Sequence, residues 1–205
     1  MGNLDLVEKL LGGLAGSLWV STFHSACVRI LRRDIDRLGY TRDFVIYDSG
    51  DALSLVKAIV KELGINEQMY SPNAIYGRIS SLKNALVTPA AYASEAQTFG
   101  IEAKTAQVYA LYQESLTRNN AVDFDDLLML TVRLFEQHPD VLARYHDQIH
   151  YLMVDEYQDT NHAQYKLVKL LAGERRNVCV VGDDDQSIYR FRGADIRNIL
   201  EFEKD

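Results

Sequence analysis

The segment Tyr151-Leu-Met-Val-Asp-Glu-Tyr-Gln-Asp-Thr-Asn161 decides the fold that we predict for this chain, and the segment Val180-Val-Gly-Asp-Asp-Asp-Gln-Ser-Ile-Tyr-Arg-Phe-Arg-Gly-Ala-Asp195 has the same design. Each is a short apolar run that ends in clustered carboxylates and amides and leads into a helical pattern. Two such runs separated by a helix are typical of parallel strands joined by a crossover. The predicted elements are strands at 151–154 and 177–181 and helices at 160–172 and 194–204.

Two acidic residues, Asp155 and Glu156, follow the first predicted strand directly. Ligands of open parallel sheets bind beyond the carboxyl ends of the strands, and Mg²⁺ prefers one or two carboxylates together with phosphates and water. Asp155 is therefore predicted to hold a metal, and Glu156 to orient and deprotonate an attacking water. Gln186, after the second strand, would touch the phosphate that is cleaved. Taken alone, however, an adjacent acid pair can also merely cap the following helix.

Most of the remaining sequence has the period of amphipathic helices, with aspartate, proline and glycine marking their ends. The predicted helices are 1–16, Phe23–Leu38, one that Asp51 caps and Gly64 ends, one from Pro72 that stops before Pro89, about Glu102–Arg118, Asp123–Gln137 and one from Pro139. Trp19–Thr22 is predicted as a buried strand and Phe44–Tyr47 as a short extended piece.

The order of these elements predicts an α/β fold with a partial parallel sheet that is interrupted by an all-helical insertion. Nothing between residues 48 and 119 alternates like a long strand, so this block is predicted to be the insertion. Residues 1–47 and 120–205 would then form the two parts of one α/β lobe.

Composition places the chain among ordinary globular proteins, with 47% hydrophobic and 25% charged residues among 205. No apolar run is long enough to span a membrane, and no secretion signal precedes the first helix, so a cytoplasmic location is expected. Cys27 and Cys179 are predicted to be buried free thiols, and no cysteine spacing suits a metal. The net charge of −7 argues against a protein that coats DNA regardless of sequence.

Four segments together resemble one known family. Asp155-Glu-Tyr-Gln-Asp-Thr-Asn161 resembles the Walker B box of superfamily one DNA helicases of the UvrD/Rep/PcrA type, and Val181–Asp195 resembles their third motif. Thr22–Ser25 and Val122–Leu127 resemble two further family segments. Their order and spacing fit, and the helical insertion lies where the family carries its 1B subdomain. The resemblance covers about residues 17–205 and implies a RecA-like lobe of the P-loop NTPase type.

For the nucleotide, the resemblance implies ATP and Mg²⁺ as cofactors and hydrolysis as the reaction. Asp155 takes the Mg²⁺ position and Glu156 the general-base position of the family. Gln186 matches the glutamine that senses the γ-phosphate and couples it to DNA. The family further implies 3′-to-5′ movement and roles in DNA repair or replication.

For nucleic acid, the resemblance implies binding to single-stranded DNA and duplex junctions. The matching residues are Tyr189, Phe191, Arg192, Phe124, Thr22, Phe23 and His24. Phe191 stands where close relatives often have Trp, and its flanking arginines make it poor core material, which favours stacking on a base. Phe124 fits the apolar face of its own helix, so core packing and stacking both remain open. His24 as a structural hydrogen-bonding residue and Tyr189 as a packing residue are also open alternatives.

One family element does not occur in the sequence, namely the phosphate loop Gly-x-x-x-x-Gly-Lys-Ser/Thr. Gly12, Gly13 and Gly16 are not followed by a lysine, and the nearest one is Lys9. We therefore expect the chain to be a fragment of a longer helicase and to lack ATPase and unwinding activity by itself. The alternative is a non-catalytic single-stranded-DNA-binding or regulatory module that reuses the fold, and a helicase–nuclease relative is a lesser one.

Overall fold

The computed structural model describes residues 18–183 and Lys9. This part of the chain is mostly helical, with short strands between the helices. Its helices are α1 (Phe23–Asp34), α2 (Ser49–Glu62), α3 (Pro72–Asn84), α4 (Pro89–Glu95), α5 (Gly100–Arg118), α6 (Phe124–Gln137), α7 (Pro139–Gln148) and α8 (His162–Ala172). Its strands are β1 (Val45–Ile46), β2 (Ala121–Val122), β3 (Leu152–Val154) and β4 (Val178–Val180), and 3₁₀ turns cover Ile35–Leu38, Tyr157–Asp159 and Gly173–Arg175.

The strands form two small parallel sheets. β3 pairs with β4, with Leu152 opposite Val178 and Val154 opposite Val180, and α8 makes the crossover between them. This pairing confirms the two parallel strands predicted from the sequence. β1 pairs in parallel with β2, so the segment that precedes α2 lies beside the segment that follows α5. The predicted mixed α/β class, with parallel strands, is thus confirmed.

Capping boxes fix three helix starts, each through reciprocal bonds between a side chain and a backbone amide. Asp123 and Asp126 form the box of α6, and Asn161 and Gln164 form that of α8. The box of α2 corrects one prediction. Its cap is Asp48, and Asp51, which was predicted to be the cap, is the reciprocal partner three residues later.

Other predictions at the element level are wrong or incomplete. Residues 19–22 are not a strand, because within the described residues they have no hydrogen-bonded neighbouring strand, and Thr22 instead caps α1. The short helix α4 and the two-residue strand β2 were not predicted. The predicted helices at 1–16 and 194–204 lie outside the described residues, apart from Lys9.

Two main hydrophobic clusters hold these elements together. One lies between α1, α6, α7 and α8, and its largest buried side chains include Ile30, Leu31, Ile35 and Phe135. The other lies between α2, α3 and α5, with Ile75, Ile79, Tyr109 and Tyr112 fully buried. A smaller cluster around Val154, Tyr157 and Val168 packs α8 against β3.

The two cysteines differ in their surroundings. Cys27 is fully buried on α1, and burial raises the pKa of its thiol to about 12. Cys179 is exposed on β4, which contradicts its predicted burial, because its side chain lies on the sheet face that other described residues leave open. Among the described helices, none combines the length and apolar character needed to cross a membrane.

Candidate functional site

The predicted acid pair lies directly beyond the carboxyl end of β3, and both side chains are exposed. Glu156 adopts a left-handed backbone conformation with φ of 53°, which costs a non-glycine residue about 1–2 kcal/mol. The carboxylate of Asp155 accepts a hydrogen bond from the backbone N–H of Glu156 at 3.0 Å. This sharp turn sends the chain away from the sheet immediately after the strand. The two carboxylates are therefore presented at the strand end, as the sequence predicted.

A buried glutamine holds this turn and was not predicted as a functional residue. Gln158 is only 1% exposed, and its Nε2 donates to Oε2 of Glu156 at 2.7 Å. Its Oε1 accepts from the backbone N–H of Asp183 at 3.1 Å. The backbone supports the same connection, because Tyr157 donates to the carbonyl of Val181 at 2.9 Å. The side chain of Gln158 thus connects, through hydrogen bonds, the residues after β3 with the residues after β4.

The donor set at this strand end fits a hydrated divalent cation. Exposed carboxylates suit Mg²⁺, which keeps several waters and uses few protein ligands. Within residues 18–183, no three His, Cys, Asp or Glu side chains converge as a complete metal site. A cation held by one or two carboxylates can share its remaining positions with water and phosphate groups. Gln186, the third predicted member of this site, lies outside the described residues.

A second group of predicted residues meets at the starts of α1 and α6. The rings of His24 and Phe124 lie edge to face, with centroids 5.9 Å apart and an interplanar angle of 72°. Phe124 is 49% exposed, so it is a surface aromatic and does not fill the core. Thr22 caps α1 by accepting from the N–H of Ser25 at 3.3 Å, and Phe23 is half-buried beside it. The structure therefore brings Thr22, Phe23, His24 and Phe124 together, whereas Tyr189, Phe191 and Arg192 lie outside the described residues.

The first turn of α6, which carries Phe124, is anchored by a buried ion cluster. Nζ of Lys83 lies 2.8 Å from Oδ2 of Asp123 and 2.8 Å from Oδ1 of Asp126, with all three side chains nearly inaccessible. The hydroxyl of Tyr112 donates to Asp123 at 2.7 Å. We call Lys83, Asp123, Asp126 and Tyr112 the Lys83 cluster.

Burial and charge compete in the Lys83 cluster. Burial by itself would lower the pKa of Lys83, but the charges of Asp126 and Asp123 raise that pKa above its ordinary value. Burial likewise opposes ionisation of Asp123, yet the Lys83 charge and hydrogen bond hold the pKa of Asp123 below its usual range. Burial, together with the neighbouring Asp123, raises the pKa of Asp126. Lys83 therefore stays charged in the fold, and both carboxylates contact it.

The end of α3 joins the two groups of candidate residues. Nδ2 of Asn84 donates to Oδ1 of Asp125 at 2.9 Å, directly after Phe124. Oδ1 of Asn84 accepts from Nδ2 of Asn161 at 2.5 Å, and Asn161 closes the segment that begins with Asp155 and Glu156. Neither asparagine was predicted as a functional residue. Asn161 ends the segment that resembles the Walker B box, but nothing in the sequence connects it to Asn84, 77 residues earlier.

Comparison with known proteins shows to which family this chain belongs. The profile of the UvrD/REP helicase N-terminal domain matches residues 5–205. The chain belongs to this family. The resemblance seen in its motifs is thereby confirmed.

Several curated relatives are similar over almost the whole chain. The ATP-dependent DNA helicase PcrA of Staphylococcus aureus strain Mu50 is 54% identical over 201 residues, which cover 98% of this chain and 27% of that protein. PcrA of Bacillus subtilis strain 168 is 53% identical over 201 residues, with the same coverage. PcrA of Staphylococcus epidermidis is 53% identical over 199 residues. The chain thus spans about a quarter of the length of these relatives.

Proposed function

We propose that this chain supplies part of the first motor lobe, with its 1B insertion, of an ATP-dependent DNA helicase. The observation that carries the proposal is the pair Asp155 and Glu156 at the carboxyl end of β3, joined through Gln158 to the chain after the parallel strand β4. This is where a nucleotide site belongs in a parallel α/β sheet. Membership of the UvrD/REP helicase family supports the same conclusion.

In this proposal ATP and Mg²⁺ are the cofactors, and each acid has its own task. Asp155 would hold Mg²⁺ through a coordinated water. Bound Mg²⁺ would neutralise charge that develops on the phosphates. Glu156 would align the attacking water and accept its proton, with Gln158 fixing the direction of the carboxylate. Gln186 would contact the γ-phosphate and link it to the DNA site.

The DNA surface in this proposal is formed by Thr22, Phe23, His24 and Phe124, together with Tyr189, Phe191 and Arg192. An exposed aromatic such as Phe124 can stack on any base, which suits a translocase that must ignore sequence. Single-stranded DNA and duplex junctions are the proposed partners. The proposal includes 3′-to-5′ movement, a cytoplasmic location and a role in repair or replication.

We also propose the division of the chain into a RecA-like lobe (1–47 and 120–205) and a helical insertion (48–119). Two observations support it. The cluster between α2, α3 and α5 draws nearly all of its buried residues from the proposed insertion. The parallel pairing of β1 with β2 brings the two ends of that insertion together.

The isolated chain is expected to hydrolyse ATP negligibly, because its sequence contains no Gly-x-x-x-x-Gly-Lys-Ser/Thr loop to hold the phosphates. The test therefore uses a chimera, in which this chain replaces the matching 201 residues of B. subtilis PcrA. We expect the chimera to hydrolyse ATP when single-stranded DNA is added, and Glu156→Gln to lower the rate at least about 100-fold.

Two results would contradict the proposal. One is a folded chimera without DNA-dependent ATP hydrolysis, and the other is a Glu156→Gln chimera that hydrolyses ATP at the parental rate. A chimera that binds single-stranded DNA but does not hydrolyse ATP would favour the alternative of a non-catalytic DNA-binding module.

A further inference from the structure

Resting on the proposed function, we propose that Asn84 is a positioning residue that couples DNA binding at Phe124 to the segment that carries Asp155 and Glu156. Its side chain lies between two elements that the proposed motor uses for different ligands. The amide group of Asn84 hydrogen-bonds both to the first turn of α6 and to Asn161, so a displacement of either element must be accommodated by the same side chain.

The contact toward the DNA surface goes through the first turn of α6. Nδ2 of Asn84 donates to Asp125, the residue that directly follows the exposed ring of Phe124. The Lys83 cluster fixes the residues on either side, because Lys83 contacts Asp123 and Asp126 at 2.8 Å. Asn84 and Lys83 are adjacent at the end of α3, so both side chains at this helix end contact the turn that carries Phe124.

The contact toward the nucleotide site goes through Asn161. This residue is 6% exposed, donates Nδ2 to Asn84 and uses its own Oδ1 to cap α8 by accepting from Gln164 at 2.9 Å. Between Glu156 and Asn161 the chain is compact. The N–H of Asp159 donates to the carbonyl of Glu156 at 3.0 Å, and the hydroxyl of Thr160 donates to the carbonyl of Tyr157 at 2.7 Å.

Two side-chain hydrogen bonds and one turn of the chain therefore connect the proposed base-contacting ring to the proposed general base. Asp125, next to Phe124, is bonded to Asn84, and Asn84 is bonded to Asn161. The compact turn then leads along the chain from Asn161 back to Glu156. Tightly packed and hydrogen-bonded elements of this kind can carry coupling between two sites. A base that stacks on Phe124 would shift the first turn of α6, and Asn84 would pass this shift to the cap of α8 and the turn before it.

Loss of the Asn84 side chain should produce a specific defect. Asn84→Ala in the chimera removes both connections without touching either ligand site. We expect the rate of ATP hydrolysis without DNA to stay near the parental value, and the stimulation by single-stranded DNA to fall about threefold to tenfold. A purely structural role would instead lower both rates together through loss of folded protein.

Two further variants separate the two connections. Asn84→Asp keeps the acceptor for Asn161 but replaces the amide donor by a carboxylate oxygen. It therefore removes the connection to α6, together with a bond to the Ser80 carbonyl inside α3. Asn161→Ser keeps an oxygen that caps α8 but lacks the amide that reaches Asn84. In each of these two variants, DNA should stimulate ATP hydrolysis less than in the parent. The inference can therefore be tested even if Asn84→Ala is unstable. Asn73→Ala is the matched control, since Asn73 is an exposed asparagine in the first turn of the same helix.

The experiment measures ATP hydrolysis by the chimera and its four variants with and without an oligothymidine strand, and confirms folding by circular dichroism. The expected result is a loss of stimulation in the Asn84 and Asn161 variants and none in Asn73→Ala. Parental stimulation in folded Asn84→Ala, Asn84→Asp and Asn161→Ser would overturn this inference but leave the proposed function intact. Absence of DNA-stimulated hydrolysis in the unsubstituted chimera would instead overturn the proposed function.

Discussion

The buried amide of Gln158 donates to the carboxylate of Glu156 at 2.7 Å, and this bond gives the exposed acid a defined direction. The side chain of Glu156 is otherwise exposed, so the hydrogen bond to Gln158 limits the directions that its carboxylate can take. A carboxylate that must align a water benefits from a neighbour that is itself held in place. Gln158 has that property, because its other end accepts from the N–H of Asp183.

Replacing Gln158 should therefore slow hydrolysis without preventing nucleotide binding. In the chimera, we expect Gln158→Ala to lower kcat for ATP about 10- to 100-fold, since small misplacements of a reacting group have effects of this size. The KM for ATP should change little, because Gln158 is buried and its amide contacts only Glu156 and the backbone of Asp183. Gln107→Ala, at an exposed position on α5, serves as the control. Equal kcat values for both variants would show that Gln158 does not position Glu156.

The Lys83 cluster should contribute strongly to stability. Lys83→Met leaves Asp123 and Asp126 buried without their cation, and breaking a buried pair in this way costs about 3–5 kcal/mol. Urea unfolding of the 205-residue chain, followed by circular dichroism, gives the free energy of unfolding. Lys57→Met, at an exposed position on α2, is the control and should change it by less than about 0.5 kcal/mol. A loss below about 1 kcal/mol for Lys83→Met would show that the buried charges are not paired as described.

Phe124 should contribute to DNA affinity and little to stability. Its ring is 49% exposed, so Phe124→Ala removes a stacking surface while it leaves the core intact. We expect the affinity of the chimera for a labelled single strand to fall by about 1–3 kcal/mol, measured by fluorescence anisotropy. Phe99→Ala is the matched control, because Phe99 is 75% exposed and lies outside the proposed DNA surface. Equal affinities for the two variants would remove Phe124 from that surface.

The two cysteines should react at very different rates. Cys27 is buried with a pKa of about 12, so its thiolate is scarce at neutral pH, whereas Cys179 is exposed. Iodoacetamide at pH 8 should modify the native chain at one position and the urea-unfolded chain at two, as read by mass spectrometry. Peptide mapping should locate the native modification at Cys179. Rapid native alkylation of Cys27 would contradict the packing of α1.

The features that could be predicted from the sequence are those indicated by residues that are neighbours along the chain. Asp155 and Glu156 could be placed at a strand end because an apolar run precedes them, and the parallel pairing of β3 with β4 follows from the crossover spacing. The start of α6 was predicted at Asp123 from the apolar period that follows it, and Asp123 is the cap of this helix. The strand β1 lies within the predicted extended piece Phe44–Tyr47. In contrast, β2 was not predicted, because two residues are too few for any period to appear.

The features that sequence did not reveal depend on partners far apart in the chain. Asn84 and Asn161 are separated by 77 residues, and Gln158 and Asp183 by 25. Lysine is rarely buried without a partner, so nothing local indicates that Lys83 is inaccessible until Asp123, 40 residues later, is seen beside it. Cys179 was expected to be buried from its apolar neighbours, but the open face of a two-stranded sheet leaves it exposed.

A crystal structure of the chimera with Mg²⁺ and a non-hydrolysable ATP analogue would show whether Asp155, Glu156 and Gln186 serve one nucleotide site. We expect Asp155 to contact the hydration shell of the magnesium, and Glu156 and Gln186 both to face the γ-phosphate. A nucleotide bound with these three side chains directed to separate places would contradict this expectation.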